Sequence, residues 1–435
     1  MSHLNSLRKQ AFWLLDRLKG SPIKAHLKDI DQILKDPFSQ NSMLKRDENL
    51  QKLLVHACKT VPFYRKFQGK ALKEFPVIKK NMVQDNFDQF KSTPYLEKKL
   101  YKVATSGSTG MPFVLYQNKN KKLRNTADVL HFFDKTNHTL GNRLYEFEVW
   151  RGHNKKGKLK SKIQNLVQYD ISVLPNNRIE ELLRILDKDK QPKTFLGFAS
   201  AYESICKYLD KNNPSFELNS VNAIIANSEY LNAYTKKSMN SYFKAPVFSR
   251  YSNEELGILA HQINGSDHNF AINHASYKIE LLDMEEDRPA KIGKFGRIVV
   301  TDLFNYAMPL IRFDTGDIAK FNEDSQEFTH FEAIEGRKMD LIQDTSGNII
   351  SSFLIYTKFY PYYDQIKQYQ FVQEDEKSYT VILNANPAVP FENELIKDIK
   401  KDFGQDAEIK ITYVNEIPPL ASGKRKKVVN KYLKQ

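Results

Sequence analysis

The chain has 435 residues, enough for a large domain with a smaller partner, and its 41% apolar and 27% charged residues are ordinary for a folded globular protein. The longest apolar run is about five residues, far short of the ~20 a spanning helix needs, so no transmembrane segment is expected. A balance of 66 Lys plus Arg against 52 Asp plus Glu gives +14; polyanions would be compatible company, but no RNP, zinc-finger or helix-turn-helix pattern accompanies the charge, so no nucleic-acid partner is predicted.

In chain order, the first hundred residues read mainly as helix. Leu4, Leu7, Ala11, Leu14 and Leu18 recur at helical spacing, with Arg8 and Lys9 interrupting any secretory apolar core. This favours a cytoplasmic protein and leaves a peripheral membrane contact open. The run "NLQKLLVHACKTVPFYRKF" carries Leu53, Leu54, His56 and Ala57 on a helix that should stop before Pro62. Cys58 and Cys206 are too few and too far apart for a disulfide framework, which fits a reducing compartment. "FPVIKKNMVQDNFDQF" reads as a short extended piece followed by a helix.

From Tyr101, β-rich and helical runs alternate: "PFVLYQ", an amphipathic segment over 121–133, "TFLGF" and "VNAIIANSEYL". The alternation predicts α/β layers. Between Ile279 and Phe321 strand follows strand, as in "GRIVVTDL" and "LIRFDTGDIAKF". From about Leu341 the pattern is a compact α+β unit: strands "QYQFVQ" and "SYTVILN", helix "FENELIKDIKKDF", strand "EIKITYV". Residues 1–340 are expected to form one domain and 341–435 a second.

The stretch "VATSGSTGMPF", over 103–113, sets Thr105, Ser106, Ser108 and Thr109 around Gly107 and Gly110. Backbone N–H groups of a Gly-rich turn can converge on an anion, hydroxyls add donors, and glycine permits close approach. It is not a Walker loop, because no Lys follows the last Gly. By itself such a loop is as compatible with a linker as with a phosphate cradle.

Its company in the sequence separates these alternatives. "VATSGSTGMPF" resembles the phosphate loop of the acyl-adenylate-forming superfamily. "ANSEYL" is similar to the adenine-contacting "GGE" stretch and "RYSNEELG" to "YGxTE". "IRFDTGDIA" is similar to "YRTGD", "EGRKMDLI" to the "GRxDD" hinge, and "PPLASGKRKKVV" to the C-terminal "P-x-SGK" loop. "ACKTVPFYRKF", "FPVIKK" and "FLGFASAYESICKYL" further resemble the phenylacetate–CoA ligase and capsular-polysaccharide CapK branch. That branch often lacks the Lys that others carry after the loop proline, and here the position is Phe113.

The resemblance implies a large multilayer α/β adenylate-forming domain with a small α+β lid that rotates about Asp340. It implies ATP and Mg²⁺ as cofactors, with CoA as a further one in some branches. Thr105, Ser106, Gly107, Ser108, Thr109 and Gly110 would hold the β- and γ-phosphates. Asn227, Ser228 and Glu229 would meet the adenine beside Tyr251; Asp317 would accept from the ribose hydroxyls, with Arg337 nearby. Glu255 would be the Mg²⁺ carboxylate, with Glu254 as fallback. Lys424 would bridge the substrate carboxylate and the α-phosphate, where negative charge accumulates. Arg312 reads as a structural or phosphate-side partner.

Some positions depart from the family pattern: Ser252 for Gly, Met339 for an acidic residue, and no cysteine with His261, His268 and His274, which are expected to be structural or exposed. For the acid, Phe198, Ala199, Ser200 and Asn227 are candidate pocket walls, and Trp150, Arg151 and His153 form a polar-aromatic cluster. The leading reading is an ATP-dependent ligase that activates a small carboxylic acid and passes the acyl or aminoacyl group to an amine, sugar or thiol acceptor, in a CapK-like role in surface-polysaccharide assembly. The alternatives are an aryl-acid CoA ligase and a nonenzymatic binder on a decayed ligase scaffold.

Overall fold

The computed structural model describes residues 3–105, 113–150, 155–172, 174–212, 216, 219–263, 269–321, 328–337, 342–350, 352–362, 365–385, 389–418 and 426–432. The leading helices are α1 (His3–Leu18), α2 (Pro22–Lys35), α3 (Gln40–Thr60) and α4 (Lys80–Asp85). Helix α3 starts where the Ser39 side chain accepts from Ser42 N and ends as Val61 turns extended. The extension follows from Pro62, which disfavours helical geometry in the residue before it.

β1 (Tyr101–Thr105) and β2 (Phe113–Gln117) pair antiparallel, so the Gly/Ser/Thr stretch joins two strands. α5 (Lys119–Asp134) follows, its start capped by the Asn118 side chain. Next come β3 (Arg143–Glu148), α6 (Lys158–Gln164), β4 (Leu166–Asp170), α7 (Asn176–Lys188), β5 (Lys193–Phe198), α8 (Ala199–Asn212), β6 (Val221–Asn227), α9 (Ala233–Phe243) and β7 (Val247–Asn253). The meander continues with β8 (Gly257–Gln262), β9 (Phe270–Ile272), β10 (Tyr277–Leu282), β11 (Gly296–Asp302), β12 (Phe313–Phe321) and β13 (His330–Arg337).

Among the described residues one 11-stranded sheet runs β10-β11-β12-β13-β9-β8-β7-β6-β5-β3-β4. Strands β4, β3, β5, β6 and β7 pair in parallel, whereas β8 joins β7 antiparallel. Parallel strands must be covered on both faces, and here they are. Tyr145, Phe147, Phe195, Ile224 and Ala226 pack with side chains of α7, α8 and α9, while Ala223, Ile225 and Phe248 pack against Phe133 of α5. Gly197 belongs to this packing, since a Cβ there would stand 2.5 Å from that of Phe147.

The remaining elements are β14 (Ile342–Gln343), β15 (Ile349–Ile350), α10 (Ser352–Phe359), β16 (Ile366–Gln373), β17 (Ser378–Ala385), α11 (Glu392–Phe403), β18 (Glu408–Tyr413) and β19 (Val428–Asn430). They build a four-stranded sheet, β18-β17-β16-β19, over a buried cluster of their own that includes Phe371, Val381, Leu395, Ile399 and Phe403. The α/β architecture, with a large mixed-sheet N-terminal part and a small C-terminal part, is the one expected from the alternating pattern.

Candidate active site

The parallel strands β3, β5, β6 and β7 all end on one side of the sheet, and β7 is also where its direction switches. Open α/β sheets bind ligands outside the carboxyl ends of strands at such a switch point. The expected residues Phe198, Asn227 and Tyr251 to Glu255 lie at or just beyond these ends.

Glu255 occupies the turn from β7 into β8, where Leu256 N donates to Asn253 Oδ1 at 2.9 Å. Its side chain is only 2% exposed and is ion-paired with Lys80, the first residue of α4. A lone carboxylate at that depth would be destabilising, and the ammonium offsets the cost. Lys80 is held by a short parallel bridge: Ile78 N donates to Arg312 O and Asp314 N to Ile78 O, each at 2.9 Å. Its Nζ also stands 5.5 Å from the centre of the Phe113 ring, which stacks on Phe313. A cation from another part of the chain thus stands beside the strand that follows the Gly/Ser/Thr stretch. Glu254 is exposed.

Tyr251 donates its hydroxyl to Asp317 Oδ2 at 2.8 Å and approaches Thr315 Oγ1 at 3.4 Å. Burial and then the Asp317 charge raise the Tyr251 phenol well above its ordinary value, so it stays a donor at neutral pH. Gly316 takes φ +80, a left-handed turn that suits glycine, and Thr315 Oγ1 accepts from Asp317 N at 3.1 Å. Asp317 pairs across the strands with Arg337. The two residues expected near the ribose are therefore backbone neighbours, although the Arg337 side chain, like that of Thr105, is outside the described residues.

Asn227 ends β6 in register with Phe198 on one side and Arg250 on the other. Ser228 has φ +66, the left-handed region in which the "GGE" pattern has glycine; a side chain there costs about 1–2 kcal/mol. Glu229 turns back to accept from Ser200 N, 2.8 Å away in the first turn of α8. Phe198 and Ala199 are buried in the core beneath, leaving Ser200 half-buried. Trp150 lies just past β3; its backbone N donates to Asp170 Oδ1 at 3.3 Å, and its indole Nε1 is buried with no hydrogen-bond partner among the described residues.

Ser106, Gly107, Ser108, Thr109, Gly110, Arg151, His153, Asp340 and Lys424 lie outside the described residues. What flanks Lys424 is well anchored. Phe371 N donates to Lys427 O at 2.8 Å, and the Lys427 ammonium pairs with Glu203 of α8. Glu203 also accepts from Asn232 Nδ2 at 3.0 Å and meets Lys207 at 3.4 Å, and Lys207 Nζ donates to Ile366 O at 2.9 Å. This group ties the small C-terminal sheet to the helix that begins beside Glu229.

Burial raises the Glu203 carboxyl, but Lys427 and then Lys207 outweigh it and hold it below its ordinary value. A depressed folded pKa stabilises above the unfolded value of about 4.3 and is lost as pH falls through the folded value. The thermal-stability gap between wild type and Glu203→Gln should therefore be widest near neutrality and close below about pH 4. Scanning calorimetry across pH tests this; an undiminished gap in acid would remove the ion pair as its cause.

Other titratable groups serve the fold. Arg312 pairs with Glu280 and donates to Phe75 O at 2.7 Å, contacts made within the fold. His261 stacks on Phe132 and contacts Gln262 O. His274, with its pKa pushed to about 3 by burial and then by Arg46, meets Phe328 O. His268 is outside the described residues.

Sequence reasoning missed Lys80, the Glu203–Lys427 pair and Arg250. Arg250 is 93% buried by its 7% exposure, stacks on Phe133 at 4.9 Å, and leaves Nε and Nη2 without hydrogen-bond partners among the described residues. Burial draws it down to about 10, with the Glu146 charge opposing. It stands directly before Tyr251 in "RYSNEELG", and a charged residue within a β-strand that runs into a motif is the signal that points to it.

Residues 341–431 match the family described as the CapK C-terminal domain. Over 378 residues, 82% of this chain and 80% of the relative, the sequence is 24% identical to Protein CapK of Staphylococcus aureus. Among solved structures, a 2-hydroxyisobutyryl-CoA ligase in the postadenylation state, in complex with 2-HIB-AMP, is similar at a TM-score of 0.71, over 90% of both chains and at 16% identity. The same ligase with 2-HIB-AMP and CoA in the thioesterification state reaches 0.55, over 94% of this chain and 89% of that one, also at 16% identity. ATP-bound MatB from Rhodopseudomonas palustris gives 0.55, over 75% of this chain and 66% of that one, at 13% identity. The chain is thus CapK-like in sequence and has the fold of adenylate-forming acyl-CoA ligases.

Proposed function

We propose that this CapK-like chain with the adenylate-forming ligase fold activates a carboxylic acid as its acyl-adenylate and hands the acyl group to an acceptor. The observation that carries the reading is the pair of couples at the strand switch point, Glu255 with Lys80 and Asp317 with Tyr251. An adenylating enzyme must bring a carboxylate to the α-phosphate of ATP, so charge repulsion is its main barrier. Cations and fixed donors aimed at that charge lower the barrier most.

The residues fit the groups the fold family uses. Glu255 already holds a cation by its carboxylate, and Mg²⁺ binds through one or two carboxylates plus substrate phosphates. Bound there, Mg²⁺ would neutralise phosphate charge. Lys80, released from Glu255, would turn to the phosphates held by Thr105 to Gly110. Tyr251 keeps the Asp317 carboxylate oriented, so that its oxygens accept the ribose hydroxyls, with Arg337 alongside. Asn227, Ser228 and Glu229 would frame the adenine. Lys424 would carry the substrate carboxylate onto the α-phosphate.

We propose that the chain divides at 340/341 and that the C-terminal unit swings about Asp340 between half-reactions. The similar ligase occurs in separate postadenylation and thioesterification states, which this chain matches at TM-scores of 0.71 and 0.55, and a swing of the C-terminal unit would relate two such states here. Opening would have to break the Glu203–Lys427 contact. The acid would lie near Ser200, Asn227 and Trp150, and Arg250, in register with Asn227, has two nitrogens without partners among the described residues that could meet an anionic or hydroxylated end. A CapK-like role in surface-polysaccharide assembly, with an amine, sugar or thiol acceptor, is the reading favoured by the sequence likeness.

The test is acid-dependent pyrophosphate release with ATP and Mg²⁺, across monocarboxylic, hydroxy, amino and sugar acids, with and without CoA. Release with one class supports the reading, and a CoA requirement for turnover would make it a CoA ligase instead. ATP binding must also depend on the ribose carboxylate. Asp317→Ala removes charge-assisted bonding worth at least the about 1.5–3 kcal/mol of a single such bond, so the Kd for ATP in calorimetric titration should rise by about 10–100-fold or more. No ATP binding by wild type would favour a decayed scaffold.

A further inference from the structure

Helix α1 is docked the wrong way round for a soluble helix. At 3.6 residues per turn Leu4, Leu7, Ala11, Leu14, Leu15 and Leu18 share one stripe. The five leucines are exposed, from 55% at Leu4 to 75% at Leu18, whereas the buried residues of the helix are Asn5 and Asp16. Polar contacts hold it there. Asn5 Nδ2 donates to Asn142 Oδ1 at 3.2 Å, and Asp16 accepts from Ile23 N and Lys24 N at 3.0 Å each, capping α2. Amphipathic helices normally bury their apolar stripe, so this one is built to meet something else.

A second exposed element adjoins α1 through its buried polar side. Asn165, which caps the end of α6, donates to Asn5 Oδ1 at 3.4 Å. On α6, Leu159 and Ile163 are 73% and 63% exposed among Lys158, Lys160 and Lys162. Acidic charge is nearly absent: over 3–28 the single carboxylate is the buried Asp16, and none occurs over 155–169. Arg17 and Lys19 flank the leucine stripe, both exposed.

We propose that α1 and α6 together form a docking surface for the anionic face of a lipid bilayer, lying in the headgroup region without spanning it. Charge complementarity selects this occupant. Apolar stripes beside clustered Lys and Arg bind interfaces by inserting apolar side chains while the cations meet acidic headgroups. A second copy of the chain would set these cations against one another. The inference stands on this surface alone and does not rest on adenylation.

The experiment is sedimentation of the full-length protein with phosphatidylcholine vesicles, with and without phosphatidylglycerol, at low and high salt. Binding should require the anionic lipid and weaken steeply with salt. Leu7→Glu/Leu14→Glu should lower the partition coefficient by about tenfold or more, and Lys160→Glu/Lys162→Glu by a similar factor. Both pairs are exposed, so their unfolding transitions should match wild type. Equal binding to neutral vesicles, no binding at all, or a dimer in light scattering that the leucine changes dissolve would each overturn the proposal.

Discussion

Replacing Lys424 by Ala should lower acid-dependent pyrophosphate release by about 10²–10³-fold, the usual cost of removing one group that stabilises transition-state charge. ATP binding should survive, because the charge that Lys424 is proposed to meet would develop only as the substrate carboxylate reaches the α-phosphate. A second comparison separates this from a general loss of lid closure. Lys427→Met removes the anchor to Glu203 but leaves Lys424 in place. It should alter how the C-terminal unit is held and cost less in adenylation than Lys424→Ala. If Lys424→Ala releases pyrophosphate near the wild-type rate, the assignment of this residue is wrong.

The second large effect concerns Lys80 and Glu255. Each single change, Lys80→Met or Glu255→Gln, should lower pyrophosphate release by about 10²-fold. The two losses should fall well short of adding, since the groups act as one unit. Stability moves differently. Lys80→Met leaves the nearly inaccessible Glu255 carboxylate unpaired and should reduce Tm. The double change removes both charges and should recover much of that loss, moderated by the partial solvent access of Lys80. Wild-type-like kinetics in Lys80→Met would show that its cation serves only to neutralise Glu255 in the resting fold.

Periodicity and turn chemistry made most of the framework legible. "NLQKLLVHACKTVPFYRKF" could be read as a helix stopped by Pro62 because proline acts on its immediate neighbour. "TFLGF" and "VNAIIAN" could be read as strands because a residue buried on both faces of a parallel sheet has little choice but to be apolar. The motifs that resemble the adenylate-forming superfamily are likewise contiguous, so Tyr251, Glu255 and Asp317 were visible one stretch at a time.

Long-range pairing was not legible. Lys80 and Glu255 are 175 residues apart and Glu203 and Lys427 are 224 apart; neither lysine in "VIKKN" carries a mark of the carboxylate it will meet. Register placed Asp317 opposite Arg337, and a polar docking interface turned the leucines of α1 outward. The sequence by itself determined the elements, the order of the motifs and the excess of cations, because these follow from local geometry and counting. Which cation neutralises which buried carboxylate, and which helix face meets water, was decided only by the tertiary structure, because burial and electrostatics depend on distance in space rather than along the chain.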